Sequence, residues 1–285
     1  MNRTSTFGPA VAGMRRAFAL SLLTAAGVAS SYTASAAETK PALNPADATL
    51  TDIQACMSHN LVQSGALRDL NVKVTDREGG SHGLRMKLYW KPTATQEPRV
   101  QLRLLEPVAM RGSSYLLLQD GAQEEVYFHL PNVENAVQIT GKNMSEPLWG
   151  TDFSYGEIKQ VLGLLFQGKT ERVDDAKIDQ RPVYVLNTDA DADASGYQSV
   201  RSYVDQATCV LLKSEFFAKG STPVKTLSAD ATSLITLDDY SVVLGYTMSN
   251  HAAGSKTVIE LSDFTLLEHL PEWMFDAGRF FEPYD

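Results

Sequence analysis

The chain has 285 residues, 44% of them hydrophobic, with 34 acidic against 25 basic side chains and a formal net charge of −9 at pH 7. That is ample material for a large core, and the acidity argues against nucleic-acid binding, which needs basic stripes. No segment after residue 36 approaches the length of a membrane-spanning helix.

Arg15 and Arg16 precede an apolar run from Ala17 to Ala29, followed by Ala34-Ser35-Ala36. A positive n-region, a short apolar h-region and an A-x-A end read as a secretory signal over residues 1–36, cut after Ala36. Residues 1–13 read as an extension upstream of Met14, and Arg15-Arg16-Ala17-Phe18 weakly resembles a twin-arginine signal, although paired arginines also occur in ordinary n-regions. No cysteine stands at the cut, so no lipid anchor is indicated. The expected product is a soluble, monomeric periplasmic protein. Removing Arg3, Arg15 and Arg16 leaves 22 basic against 34 acidic residues, a net charge of −12.

Residues 37–48, with Pro41 and Pro45, form an expected flexible lead-in. A single domain is expected over 49–285. Leu50, Ile53, Met57 and Leu61 recur at helical spacing beside Cys56, with Thr49 as N-cap and Gly65 as stop. The period then becomes two. Leu84, Met86, Leu88 and Trp90 alternate with polar or charged positions, as do Val100, Leu102 and Leu104, then Val126, Phe128 and Leu130. Further strands are expected at 183–188, 198–205, 209–217, 223–227, 240–248 and 256–268. About ten strands with hairpin-length links make an antiparallel sheet large enough to curl. One helix interrupts them: Ile158, Val161, Leu162 and Leu165 lie on one face, and Ser154-Tyr155-Gly156-Glu157 fits a capping box.

A membrane barrel would need apolar positions toward lipid and a polar interior. Here one face of the early strands is Arg, Lys and Gln and the other Leu, Met, Val and Trp, so the charged face is expected in water. The fold class that follows is mainly β: a large curved antiparallel sheet with an apolar concave side, around a cavity partly plugged by short helices.

Cys56 and Cys209 form either one disulfide or two buried thiols, and an oxidising compartment favours the disulfide. Asp189, Asp191, Asp193 and Ser195 start like a calcium loop, but Ala194 and Val200 stand where glycine and glutamate are required. A solvated acidic loop is the better reading. The histidines (His59, His82, His129, His251, His269) show no metal or catalytic spacing. No catalytic residue, metal or cofactor is expected. The aromatic end, Trp273, Phe275, Phe280, Phe281 and Tyr284, is expected to close the barrel end.

The segment 84–166 carries a recognisable series: Leu104-Leu105-Glu106-Pro107, Met110-Arg111-Gly112-Ser113-Ser114-Tyr115-Leu116, Tyr127-Phe128-His129-Leu130-Pro131, Ile139-Thr140-Gly141 and Trp149-Gly150-Thr151-Asp152-Phe153-Ser154-Tyr155. It resembles the LolA-like outer-membrane lipoprotein-sorting proteins. The resemblance implies a half-open barrel enclosing a site for the acyl chains of a lipid or lipoprotein, and for some relatives an RND-type inner-membrane exporter as partner. One departure stands out. Where relatives have a basic run after Leu-Pro, this chain has Glu134-Asn135-Ala136-Val137-Gln138-Ile139.

The expected function is a non-enzymatic periplasmic carrier or chaperone. Leu84, Met86, Leu88, Trp90, Val100, Leu102, Leu104, Val126 and Phe128 are its candidate lipid-binding residues. Ordinary core packing is the competing reading for each one singly. Asp152, Phe153, Ser154, Tyr155 and Glu157 form the candidate lid and helix-cap motif. The alternatives are a periplasmic sensor that binds an anti-sigma factor, and a lipid-acting enzyme for which no constellation can be nominated.

Overall fold

The computed structural model describes residues 43–284 apart from 94–97, 121–122 and 238–239. The expected signal and the first half of the lead-in, residues 37–42, lie outside the described residues. The first helix, α1 (Leu50–His59), forms as its spacing requires. Thr49 accepts the Asp52 amide, and the Asp52 carboxylate accepts the Thr49 amide at 2.8 Å. It ends at Asn60 rather than Gly65. Gly65 instead opens a strand, where a Cβ would stand 2.7 Å from the Leu267 carbonyl oxygen.

Fifteen strands follow among the described residues. They are β1 (Gly65–Thr75), β2 (Ser81–Pro92), β3 (Pro98–Glu106), β4 (Ser114–Asp120), β5 (Gln123–His129), β6 (Val137–Ile139), β7 (Lys169–Ile178) and β8 (Arg181–Asp189), then a four-residue helix α2 (Ala192–Ser195). The rest are β9 (Ser199–Asp205), β10 (Leu211–Phe217), β11 (Lys225–Ala229), β12 (Leu234–Leu237), β13 (Tyr240–Val243), β14 (Gly245–Asn250) and β15 (Ser255–Leu267). Thirteen form one antiparallel sheet in the order β6-β5-β4-β3-β2-β1-β15-β14-β11-β10-β9-β8-β7. β6 and β7 remain as edges, so the barrel is half open. β1, β6, β7 and β12 are not among the expected strands, and the expected strand 240–248 divides at Leu244. Its first half pairs with β12 as a separate hairpin, and its second half stays in the main sheet.

Cross-strand register builds the inner face. Met86 lies opposite Leu104, Leu88 opposite Leu102 and Trp90 opposite Val100. Val100 and Leu102 face Leu117 and Tyr115, which in turn face Val126 and Phe128. Buried residues from β1–β5, β8–β11, β14 and β15 meet in one cluster, so the sheet curls around it.

The outer face departs from the expectation that it meets water. Tyr89 and Leu116, which alternate with the inner residues, are buried against Leu270, Met274, Phe275 and Phe280 of the C-terminal segment. The charged neighbours hold that segment down. Lys91 and Arg99 pair with Glu272 at 2.5 and 2.8 Å, Lys91 donates to the Leu270 carbonyl at 2.9 Å, and Arg103 donates to that of Phe280 at 3.1 Å. The aromatic tail therefore straps the outer wall instead of closing the barrel end. Its apolar side chains find a flat greasy partner in Tyr89 and Leu116, which the terminal opening does not offer.

α1 packs elsewhere. Ile53, Cys56 and Met57 meet Tyr184, Leu186, Val204, Cys209 and Leu211 in a second cluster. The Cys56–Cys209 disulfide, with Cα atoms 5.8 Å apart, fastens α1 to the turn between β9 and β10.

Candidate functional site

The turn Leu148–Glu157 is tied down from three directions. Trp149 and Gly150 take left-handed backbone, which reverses the chain. Phe128 meets the Trp149 ring at 5.8 Å and the Tyr155 ring at 5.1 Å, and the Tyr115 hydroxyl donates to the Tyr155 carbonyl at 3.0 Å. On the opposite side, the Asp152 carboxylate accepts hydroxyl hydrogen bonds from Ser255 and, at 2.8 Å, from Thr257.

Glu157 is the centre of a buried polar network. Fully enclosed, it accepts the Ser154 amide at 2.8 Å, the Tyr197 hydroxyl, and the Lys225 ammonium at 3.1 and 3.2 Å. Lys225 also donates to the Asp152 carbonyl at 2.8 Å. Burial, then the adjacent carboxylate, pushes the Tyr197 phenol far above its ordinary range, so it stays a donor. The capping-box expectation is half met: the Glu157 carboxylate reaches back to Ser154. The expected helix is a correction. Ile158–Leu162 is a single 3₁₀ turn that ends at Gly163 in left-handed backbone. Leu165 lies beyond it and packs toward α1. Lys159 and Gln160 are buried along with Ile158 and Val161, so no polar face remains to carry a longer amphipathic helix.

An apolar cavity of about 70 Å³ lies between the inner face and its cover. The sheet contributes Ala66, Arg68, Leu88, Trp90, Tyr246 and Leu261. The cover is Met57, Asn60, Leu61 and Val62 at and just beyond the α1 end, Val161–Gly163 of the 3₁₀ turn, and Tyr240–Val243 of the β12–β13 hairpin. Trp90 is fixed by its indole N–H, which donates to the Val62 carbonyl at 2.8 Å. Asn60 bridges the cover: its side chain accepts the Ser241 amide at 2.8 Å and donates to the Thr208 carbonyl at 2.7 Å.

A larger, more polar cleft of about 420 Å³ shares Met57, Leu61 and Gly163 with that cavity. Its wall includes Gln54, Gln119, Gln123 and Gln167, and a buried Lys159–Glu124 ion pair. Apolar and polar spaces thus adjoin, the shape an amphiphile requires.

Of the nine candidate lipid-binding residues, Leu88 and Trp90 line the cavity, while Leu88, Val100 and Leu102 line a void of only about 10 Å³. Leu84, Met86, Leu104 and Val126 are buried in the core, with Phe128 half-buried against it. Spacing marks the inward face but cannot mark which part of it is left unfilled. Arg68, Asn60, Lys225, Tyr197 and the β12–β13 hairpin escaped the sequence reading. One signal was available: Arg68 interrupts the inward series Ala66, Leu70, Val72, Val74. Arg68 is 7% exposed, and its guanidinium lies 4.4 Å from the Phe264 ring centroid. Burial lowers its pKa from the ordinary guanidinium value. Asp191 caps α2 by accepting the Asp193 amide at 3.0 Å, and among the described residues no group of three His, Cys, Asp or Glu could hold a metal.

A family model described as an uncharacterized protein matches residues 97–280. No curated protein matches the chain. Among solved structures, a domain named for outer membrane lipoprotein sorting from Vibrio parahaemolyticus is 21% identical with a TM-score of 0.68, over 79% of this chain and 95% of that one. A DUF1329 family protein from Desulfovibrio piger has the same TM-score at 17% identity, over 79% and 95%. A LolA superfamily protein from Nitrosomonas europaea gives 0.62 at 17%, over 80% and 98%. At these identities the likeness shows the fold.

Proposed function

The chain belongs to the family matched over residues 97–280 and has the LolA-like fold, and we propose from this that it is a periplasmic carrier for the acyl part of a lipid or lipoprotein. The observation that carries the reading is the cover over the cavity. Three short elements that are not part of the main sheet close an apolar space on its inner face, and a polar cleft adjoins it. Such a site binds by burial, at about 0.8 kcal/mol per methylene, and makes or breaks no bond.

At about 70 Å³ the cavity is roughly half the size of one that holds a benzene. An acyl chain therefore enters as the β12–β13 hairpin swings away, and loading and release are the same motion in opposite directions. An inner-membrane exporter of the RND type is the donor this reading favours. The signal-like leader supports export, and no helix among the described residues is long and apolar enough to cross a membrane.

The deciding experiment is mass spectrometry of organic extracts from protein gently purified from the periplasm. Stoichiometric acyl lipid is expected. Lipid no higher than on a control protein, with no uptake of a fluorescent fatty probe, would overturn the reading.

A further inference from the structure

Resting on the reading of the cavity as an acyl site, we propose that Arg68 makes it selective for an anionic amphiphile, its guanidinium pairing with the carboxylate or phosphate at one end of the chain.

An arginine this enclosed ordinarily has a carboxylate partner, because a lone buried charge costs several kcal/mol. Among the described residues none lies within ion-pairing distance of Arg68. Its surroundings are Leu88 across the strand pair, the Phe264 ring, and the phenols of Tyr240 and Tyr246. Burial raises the Tyr246 phenol far above its ordinary value, so it stays neutral. One aromatic face offsets only about 0.5–2 kcal/mol of the penalty. Arg68 also lines the cavity itself, so a ligand that enters meets the guanidinium directly. The planar guanidinium matches the two oxygens of a carboxylate or phosphate in a bidentate pair. An anionic ligand thus supplies the counter-charge that the protein withholds, and a neutral lipid leaves the penalty in place.

Asp238 and Asp239 precede Tyr240 in the sequence and lie outside the described residues, so the test includes them. Delipidated protein is titrated with dodecanoate, dodecyl phosphate, 1-dodecanol and inorganic phosphate, by displacement of the neutral dye N-phenyl-1-naphthylamine. The wild type is expected to bind one or both anionic amphiphiles at least tenfold more tightly than dodecanol. Arg68→Met should lose that preference, keep dodecanol affinity within about twofold, and melt no lower than wild type, since it removes an unpaired buried charge. Arg68→Lys should keep part of the preference.

Equal binding of the three chain-bearing probes by wild type would overturn the role of Arg68 and leave the carrier reading intact. No binding of any of them would remove the carrier reading itself. Inorganic phosphate bound as tightly as dodecyl phosphate would make this a free-anion site and overturn the amphiphile assignment. Tighter anion binding together with a lower Tm in Asp238→Asn/Asp239→Asn would give those carboxylates to Arg68 and also overturn it.

Discussion

Asn60 holds Ser241: the side-chain oxygen at the end of α1 accepts the Ser241 amide at 2.8 Å and so joins the β12–β13 hairpin to the disulfide-anchored helix. Because the same side chain donates to Thr208 at 2.7 Å, its loss frees both contacts at once. Asn60→Leu should cost about 1–3 kcal/mol and speed the uptake of a fatty probe. Amide exchange at Ser241 checks it; unchanged protection there would show that the hairpin is held by other contacts.

Cys56 and Cys209 are 153 residues apart, so the bond between them restrains a long stretch of the unfolded chain. The loop-entropy relation gives about 4–5 kcal/mol. Cys56→Ser with Cys209→Ser should lower the denaturation midpoint accordingly. Non-reducing peptide mapping should recover the linked pair, and two free thiols would refute it.

Glu157 and Lys225 bury opposite charges beside the cavity cover. Removing one charge leaves the other enclosed, so Glu157→Gln or Lys225→Met alone should destabilise by about 3–5 kcal/mol. The double variant should recover part of that loss. A strictly additive double-mutant cycle, read by chemical denaturation, would show that the two do not interact.

Glu272 joins the C-terminal strap to Lys91 and Arg99, and the Lys91 hydrogen bond foremost holds its carboxyl below the ordinary value of 4.5. A depressed carboxyl contributes stability that is complete above 4.5 and lost as pH falls through its folded value. Its exposure keeps the effect small. Trp273 fluorescence should report local loosening of the strap in that acid range, and Glu272→Gln should remove the pH dependence while leaving the core intact.

Ala66 and Leu102 separate cavity from core. Ala66 lines the apolar cavity, so Ala66→Leu should fill it and weaken probe binding at least tenfold with little loss of stability. Leu102, 1% exposed, borders only the smaller void, and Leu102→Glu should prevent folding. Unchanged probe affinity in folded Ala66→Leu would place the ligand elsewhere.

Much of the fold can be read from local pattern. The alternation from Leu84 to Trp90, and again at Val100–Leu104, marks inward faces because successive strand residues point to opposite sides. Thr49 and Asp52 mark the start of α1 by supplying the acceptors its first amides need. β7 escaped because an edge strand buries little, and its sequence Lys-Thr-Glu-Arg-Val-Asp-Asp-Ala-Lys-Ile alternates weakly.

Local pattern settled a mainly β chain with one oily and one charged strand face, and a chain reversal capped at Ser154–Glu157; composition offered one possible bond between two cysteines, which the fold then formed. Those follow from interactions between residues a few positions apart, or from composition alone. Where the curled sheet stays unfilled, that Tyr240–Val243 leaves the main sheet to cover the gap, that the aromatic tail straps the outer wall, and that Arg68 faces the cavity without a carboxylate were set by packing. Each depends on which distant segments meet once the sheet curls, and residue spacing along the chain carries no information about that.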